Sequence, residues 1–473
     1  VRLQDVGNLR PINALTVIGD VVQLQGNVVT VNNVTVTEDG ADNAVTISNN
    51  ITSNSGNIVL SARGALAISG VVEATNGTVT ATADSNNNNA AHDLDISADV
   101  RGTTVTFQTG GPTAQIIVSG ATDNTIGATD FLTAAGALIG ANVTATGTLD
   151  FSGLSAGSDV DITAASTLRS DTGNLDLRNV GLESAGGGAG ETVTLFSPGG
   201  TLFLETVGAT DGGIDSITLG AVAGDVSTVE LGGNVTVDGG IDFGNVTAGE
   251  NITLTGPVTI DATGPIAIDF DDTGVTGGFD LSLQTGGGSL IANATLGGTV
   301  DLASLDVDSG PFTQGGAIQA SGLIDIQITL AFTFDTGNTI VSTGGAINIG
   351  ATGELIVDQL IDAGTTVTLT ADSDDAGGEN LTVSADTRGT TATLRSGTVA
   401  GAGGRVDVTA NVANNEGSYA VTAGSTLRVS DNITANTFVG SDIIVNAAIR
   451  TDVAANATFT ADDIVDVRGG LSS

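Results

Sequence analysis

Along most of the chain, apolar and polar residues alternate one by one in short stretches, and each stretch closes on Gly, Asn or Asp. "VVTVNNVTVTEDG", "GNIVLSARGALAISG", "GTVTATADS", "LDISADV" and "TTVTFQTGG" show the pattern early in the sequence. Alternation with period two over about five to eight residues predicts strands with one buried and one exposed face, separated by turns. No stretch places apolar residues at helical spacing. Thr and Val fit a pleated surface and glycine serves tight corners, so the chain reads as all-β.

Such a pattern suits either an array of sandwiches or a parallel β-solenoid, and the phenylalanines favour the second. Phe107, Phe131 and Phe151 are 24 and 20 residues apart, Phe312 and Phe332 are 20 apart, and Phe438 and Phe459 are 21 apart. In a solenoid, residues one rung apart stack directly, and large side chains gain by stacking on their own kind. A rung of roughly 20–22 residues follows, giving about 22 rungs and an elongated rod of about 100 Å at the inter-strand spacing. Its core is expected to be ladders of Val, Ile, Leu and Ala, with Thr, Asn and Asp facing out.

The chain also repeats itself over a longer distance. "TADSNNNNAAHDLDISADVRGTT" (residues 82–104) returns as "TADSDDAGGENLTVSADTRGTT" (370–391), with its flanks kept and its centre changed. Constant segments around a variable polar insert predict two equivalent corners of the coil, with residues 86–92 and 374–379 projecting as loops. "VGNLRPINALTV" (Val6 to Val17) recurs loosely as "VGATDGGIDSITL" (Val207 to Leu219), and "TAASTLRSD" (Thr163 to Asp171) as "TAGSTLRVSD" (Thr422 to Asp431). The three signatures come twice in the same order. The reading is one continuous β-solenoid over 1–473, made of two degenerate super-repeats at about 1–200 and 201–473.

Written as "GNIVLSARGALAISG", "AGALIGANVTATGTLDFSG" and "GPVTIDATGPIAIDF", the strands resemble those of filamentous-haemagglutinin-type exoproteins and related giant bacterial adhesins. The resemblance covers essentially the whole chain in style and period. It implies a right-handed parallel β-helix, displayed outside a bacterial cell or on its surface, with a structural role. The NPNL- and NPNG-like motifs typical of the secretion domain in those exoproteins are not in this sequence, which points to a shaft segment.

Charge narrows the partners. The net charge is −41, all 12 basic residues are arginine, and none lies between Arg178 and Arg388. Such a chain repels phosphate backbones and anionic membranes, so no nucleic-acid partner is expected. There is no cysteine for disulfides or thiolate metal sites. No apolar run approaches the roughly 20 residues of a transmembrane segment. The sequence has no methionine and no signal peptide, so it reads as a processed product or a cut segment.

Candidate chemistry is sparse. Other right-handed β-helices are polysaccharide lyases and hydrolases, which makes a secreted carbohydrate-active enzyme the alternative reading. Against it stand the absence of Trp and Lys and a single tyrosine, Tyr419, where a sugar cleft usually presents aromatic platforms. No catalytic residue is assigned, and His92 reads as a surface-loop residue. "DFDDTG" and "DSDDAGGEN" concentrate oxygen ligands in loops, which makes Asp269, Asp271, Asp272, Asp372, Asp374, Asp375 and Glu379 candidate calcium ligands. Asn-x-Ser/Thr occurs eleven times, at Asn33, Asn50, Asn76, Asn142, Asn234, Asn245, Asn251, Asn293, Asn380, Asn432 and Asn456.

The expected partners are a host or abiotic surface or a polysaccharide, and the chain itself, end to end. Read tail to head, the termini give "VRGGLSSVRLQDVGNL", which mimics the internal stretch "PGGTLFLETVGATDGG". The expected function is therefore that of an extracellular structural protein: the shaft of a surface adhesin, or the subunit of a head-to-tail filament.

Overall fold

Among the described residues the strand pairings are parallel, joining strands one turn of the chain apart. In the computed structural model the described residues are all except 8–9, 88–91, 111–112, 186–190, 209–212, 248, 335–336, 398–403, 415 and those outside the strands beyond 423. No helix among them is long and apolar enough to cross a membrane. The chain forms two compact units, Val1–Glu250 and Asn251–Ser473. Both are built as a β-solenoid.

In the first unit, Val22, Val45, Leu66, Leu94 and Ile116 succeed one another in register up one ladder. Val28, Ile51, Val72 and Val100 form a second ladder, and Leu15, Val34, Ile58, Val79 and Val105 a third. Apart from Leu15, at the start of the third ladder, all of these side chains are buried. The reason is local. A three-residue strand such as Val22–Leu24 or Val72–Ala74 puts its first and third side chains inward and its second outward. Parallel pairing then stacks like on like, and each fully buried Val or Leu contributes about 1.5–3 kcal/mol.

The second unit repeats the plan. Leu281, Leu305, Ile324, Ile347 and Val367 form one ladder. Ile318, Ile340 and Ile361 form another, and Phe332, Leu355, Leu381 and Val406 a third.

The phenylalanine reading holds. Phe107 pairs with Phe131 in register, their rings 5.4 Å apart edge to face, and Phe131 stacks on Phe151 at 4.3 Å. All three are buried. Phe312 and Phe332 stack at 5.2 Å in the second unit. Phe438 lies outside the described residues.

The rung is more elastic than a 20–22 residue period. Leu15 lies beside Val34, a step of 19, whereas Leu66 lies beside Leu94, a step of 28. Strand length barely changes between those turns, so the corners absorb the difference. A second departure concerns the interior, which is not wholly aliphatic. Thr30 and Ser53 are buried in register, and Ser53 Oγ donates to the Asn32 carbonyl at 2.7 Å. An inward hydroxyl at a corner reaches a backbone acceptor that no ladder satisfies, so it is tolerated there.

Candidate functional site

The repeated phrase marks one piece of structure built twice, once in each unit. Asp84 follows strand Val79–Ala83, and Asp372 follows strand Thr366–Ala371. Both aspartates are buried, with φ of 50° and 51°. Left-handed backbone is costly for most residues, and Asp is among the few side chains that visit it. The next amide repeats its partner too: Ser85 N–H donates to the Ala62 carbonyl (2.9 Å) and Ser373 N–H to that of Ala351 (3.0 Å). Beyond the turn, residues 85–87 in one copy, and 374 and 376–378 in the other, are exposed. The expected loops project where they are described; residues 88–91 of the first lie outside the described set, and His92 beyond them is half-buried.

The buried carboxylates are poorly matched. Among the described residues, neither oxygen of Asp84 meets a donor. Asp372 Oδ1 accepts from Gly377 N–H at 3.2 Å, but Oδ2 is buried without a donor. Burial raises the Asp372 pKa above the usual carboxylate range; the Gly377 amide opposes the rise, and the neighbouring Glu379 carboxylate adds to it. Glu379 moves the other way, lowered first by the Gly378 amide and then by its own.

The constant end of the phrase is an arginine clamp. Arg101 reaches Asp99 at 2.6 Å and, on the preceding rung, Glu73 at 3.7 Å. Arg388 reaches Asp386 at 3.0 Å and Asp362 at 3.9 Å. Glu73 and Asp362 are the in-register neighbours of the two arginines. The glycines that follow donate to equivalent asparagines, Gly102 to Asn124 Oδ1 (3.0 Å) and Gly389 to Asn414 Oδ1 (3.1 Å). Half-exposed ion pairs of this kind contribute at most about 1 kcal/mol each, so their effect is chiefly on register.

Another signature repeats its backbone as well. Val6 bridges to Val28, and Gly7 follows with φ of 73°; Val207 pairs with Val235, and Gly208 follows with φ of 65°. A Cβ at either glycine would run into a carbonyl of the next rung, that of Val29 or Thr236.

The candidate calcium ligands fall in two separate loops. Asp269 accepts from the Asp271 amide at 2.9 Å, and Asp271 accepts from Asn293 Nδ2 at 2.9 Å, so these carboxylates already order the turn containing Asp272. In the other loop, which also carries Glu379, Asp374 accepts from the Ala376 amide at 3.2 Å, and Asp375 donates its amide to the Asp372 carbonyl at 3.1 Å. Among the described residues, no three His, Asp or Glu side chains are grouped to hold a metal ion.

The frequent Asn-x-Ser/Thr has a structural origin at several positions. The side-chain oxygens of Asn33, Asn50, Asn142 and Asn380 each accept the backbone N–H of a residue one rung on, at 2.9, 3.1, 2.9 and 3.2 Å. Asn suits the corner, and the outward second residue of the strand that follows is often Thr, which spells the motif.

Two cavities in the second unit have no counterpart in the sequence reading. One, of about 380 Å³, lies on a sheet face lined by Gln327, Gly350, Thr370 and Arg395; the Gln327 amide lies over Gly350, and Arg395 donates to Thr370 Oγ1 at 3.0 Å. The other, of about 360 Å³, lies beside the second clamp, with Asn338, Thr339, Asp358, Gln359, Asp386 and Arg388 in its wall. A signal for it existed. Aligning "LAISGVVEA" (66–74) with "LIVDQLIDA" (355–363) places Asp358–Gln359 where the first copy has Ser69–Gly70. No protein-family model, no curated protein and no solved structure matches this chain.

Proposed function

We propose that the chain is an extracellular structural protein, the shaft of a bacterial surface adhesin or the subunit of a filament, that associates with itself end to end. One observation carries this reading: the most strongly repeated residues are occupied in turning, clamping and registering the coil. Asp84 and Asp372 turn it, Arg101 and Arg388 tie one rung to the last, and Asn124 and Asn414 hold the next. The resemblance to filamentous-haemagglutinin-type exoproteins supports the same role and a cell-surface location. A net charge of −41 keeps long assemblies soluble and laterally apart. Solenoid stability is a sum of repeat and neighbour terms, and a rung is a template for another rung, which suits end-to-end growth.

Electron microscopy of the native material, with mass spectrometry of the same sample after denaturation, tests the proposal. Fibres that dissolve into 46.3 kDa chains identify a filament of subunits, and fibres of a much larger chain identify a shaft segment. Dispersed single particles at high protein concentration would overturn both forms.

A further inference from the structure

We propose that the groove lined by Gln327, Gly350, Thr370 and Arg395 is a binding site for an uncharged glycan chain, held through its hydroxyl groups. It lies wholly within the second unit, and serves a shaft segment and a filament subunit alike. Four successive strands of one sheet build it: Ile324–Ile328, Ile347–Ala351, Thr366–Ala371 and Thr391–Ser396. Alternation turns two rows of positions outward. Asp325, Asn348, Thr368 and Thr393 stand in register in one row, and Gln327, Gly350, Thr370 and Arg395 in the other.

Neighbouring groups fix what the rows offer. Gln327 donates Nε2 to Asp325 Oδ1 at 2.7 Å, so its Oε1 is left as an acceptor, lying over Gly350. Arg395 donates Nε to Thr370 Oγ1 at 3.0 Å, and among the described residues no carboxylate pairs with its terminal nitrogens. Asn348, Thr368 and Ser373 are half-exposed in the same wall, and bring an amide and two hydroxyls that no described protein group occupies. All of these residues line one open cavity of about 380 Å³, within the size range of ligand pockets.

That mixture selects the ligand class. Asp325 and a net charge of −41 disfavour an anion. Arg395 disfavours a metal cation, for which no group of three acids is present among the described residues. An extended peptide adds to a sheet edge, and this is a sheet face. An apolar ligand would strip water from the polar wall and leave it unpaired. Hydroxyls donate and accept at once, which answers a wall where donors, acceptors and hydroxyls are interleaved. The rows repeat at the inter-strand spacing of about 4.8 Å, so the three steps from Asp325 to Arg395 span about 14 Å, room for more than one sugar residue in line. None of the lining residues is aromatic, so affinity rests on hydrogen bonds alone.

The first unit supplies an internal control. The repeat around the TADS phrase extends upstream and downstream: "VTVTE" (34–38) matches "IDIQI" (324–328), "IVLSA" (58–62) matches "INIGA" (347–351), and "TVTFQT" (104–109) matches "TATLRS" (391–396). One contact is kept, since Gln108 donates to Thr82 Oγ1 at 2.7 Å as Arg395 does to Thr370. The wall is not kept. Thr35, Val59, Ser61 and Gln108 stand where the second unit has Asp325, Asn348, Gly350 and Arg395. Three of these differences add a charge or an amide. The fourth makes room, because a Cβ at Gly350 would run into Gln327 Oε1.

A saturation-transfer NMR titration of the whole chain tests this, with cellotetraose, mannotetraose and maltotetraose as neutral probes. Tetragalacturonate serves as an acidic glycan and tetraethylene glycol as a chain without ring hydroxyls. At least one neutral tetrasaccharide should bind with a Kd of about a millimolar. Tetraethylene glycol should not bind, and tetragalacturonate should bind more weakly than the best neutral chain. The triple variant Asn348→Val, Gly350→Ser, Arg395→Gln, which copies the first unit, should lose about tenfold or more in affinity. Arg395→Gln alone should weaken binding several-fold, and it provides the second reading if the triple variant unfolds, as judged by circular dichroism. Gln108→Ala in the first unit should leave affinity unchanged. No response from any neutral tetrasaccharide, an equal response to tetraethylene glycol, tighter binding of tetragalacturonate, or unchanged affinity in the Arg395 variants would overturn the proposal.

Discussion

Asp84 and Asp372 are useful to the backbone and awkward for their own side chains. Their left-handed φ turns the chain off the strand, and the same geometry buries the carboxylate. For Asp372 the pKa is raised, first by burial, above the 3.8 expected of a free side chain. Stability from this corner is therefore fully present below about pH 4 and lost as pH rises through the folded value. Asn tolerates the same φ without a charge. Asp372→Asn should raise stability at pH 7 by about 1 kcal/mol, roughly 2–4 °C in Tm, with the gain vanishing near pH 3. Thermal unfolding at the two pH values checks it; a gain that is equal at both would exclude the titration as its cause. At the stacked aromatics the expectation is larger. Phe131 has a ring on either side, so Phe131→Ala should cost about 3–5 kcal/mol, and more than Phe107→Ala, as measured by denaturant unfolding.

Strands and corners answer to different rules. A strand of three to six residues is specified by its alternation, and those strands were legible because each inward Val, Ile or Leu has only one place to go. Corners carry the variation, from a 19-residue step to a 28-residue one, and nothing in local sequence states how much chain a corner will absorb. Deleting Asn86 to Asn89 should consequently shift Tm by less than about 2 °C, because Asn86 and Asn87 are exposed and lie beyond the last strand residue, Ala83. Gly208→Ala offers the opposite case. It forces a Cβ into the Thr236 carbonyl at a positive φ, and should destabilise by about 1–3 kcal/mol despite adding only a methyl group. Differential scanning calorimetry of the two variants side by side tests the contrast.

Stacking like on like also stacks charge on charge. Asp130 lies in register with Asp150, and Asp150 with Asp176. The Asp130 pKa is raised, first by burial and then by Asp150. With 53 acidic residues against 12 arginines, repulsion of this kind acts along the whole chain. Raising ionic strength from about 0.01 M to 0.15 M shortens the screening length from about 30 Å to about 8 Å, so Tm should climb with added sodium chloride. A Tm that falls over that range would mean that the clamps of Arg101 and Arg388 outweigh the repulsion.

The sequence by itself determined the all-β class, the parallel solenoid and the buried stack of Phe107, Phe131 and Phe151, because each rests on a short period repeated many times. It also determined that residues 82–104 and 370–391 are equivalent, since a turn, a strand and a clamp need the same residues in both places. Tertiary structure alone decided the length of each rung, which inward positions carry hydroxyls or amides, and which carboxylates end up buried without a donor. It alone brought Asp358 and Gln359 into the wall of one cavity with Arg388, some 30 residues on. The physical reason is that alternation encodes which face a side chain takes, whereas a corner's cavity depends on three successive rungs whose spacing no local pattern contains.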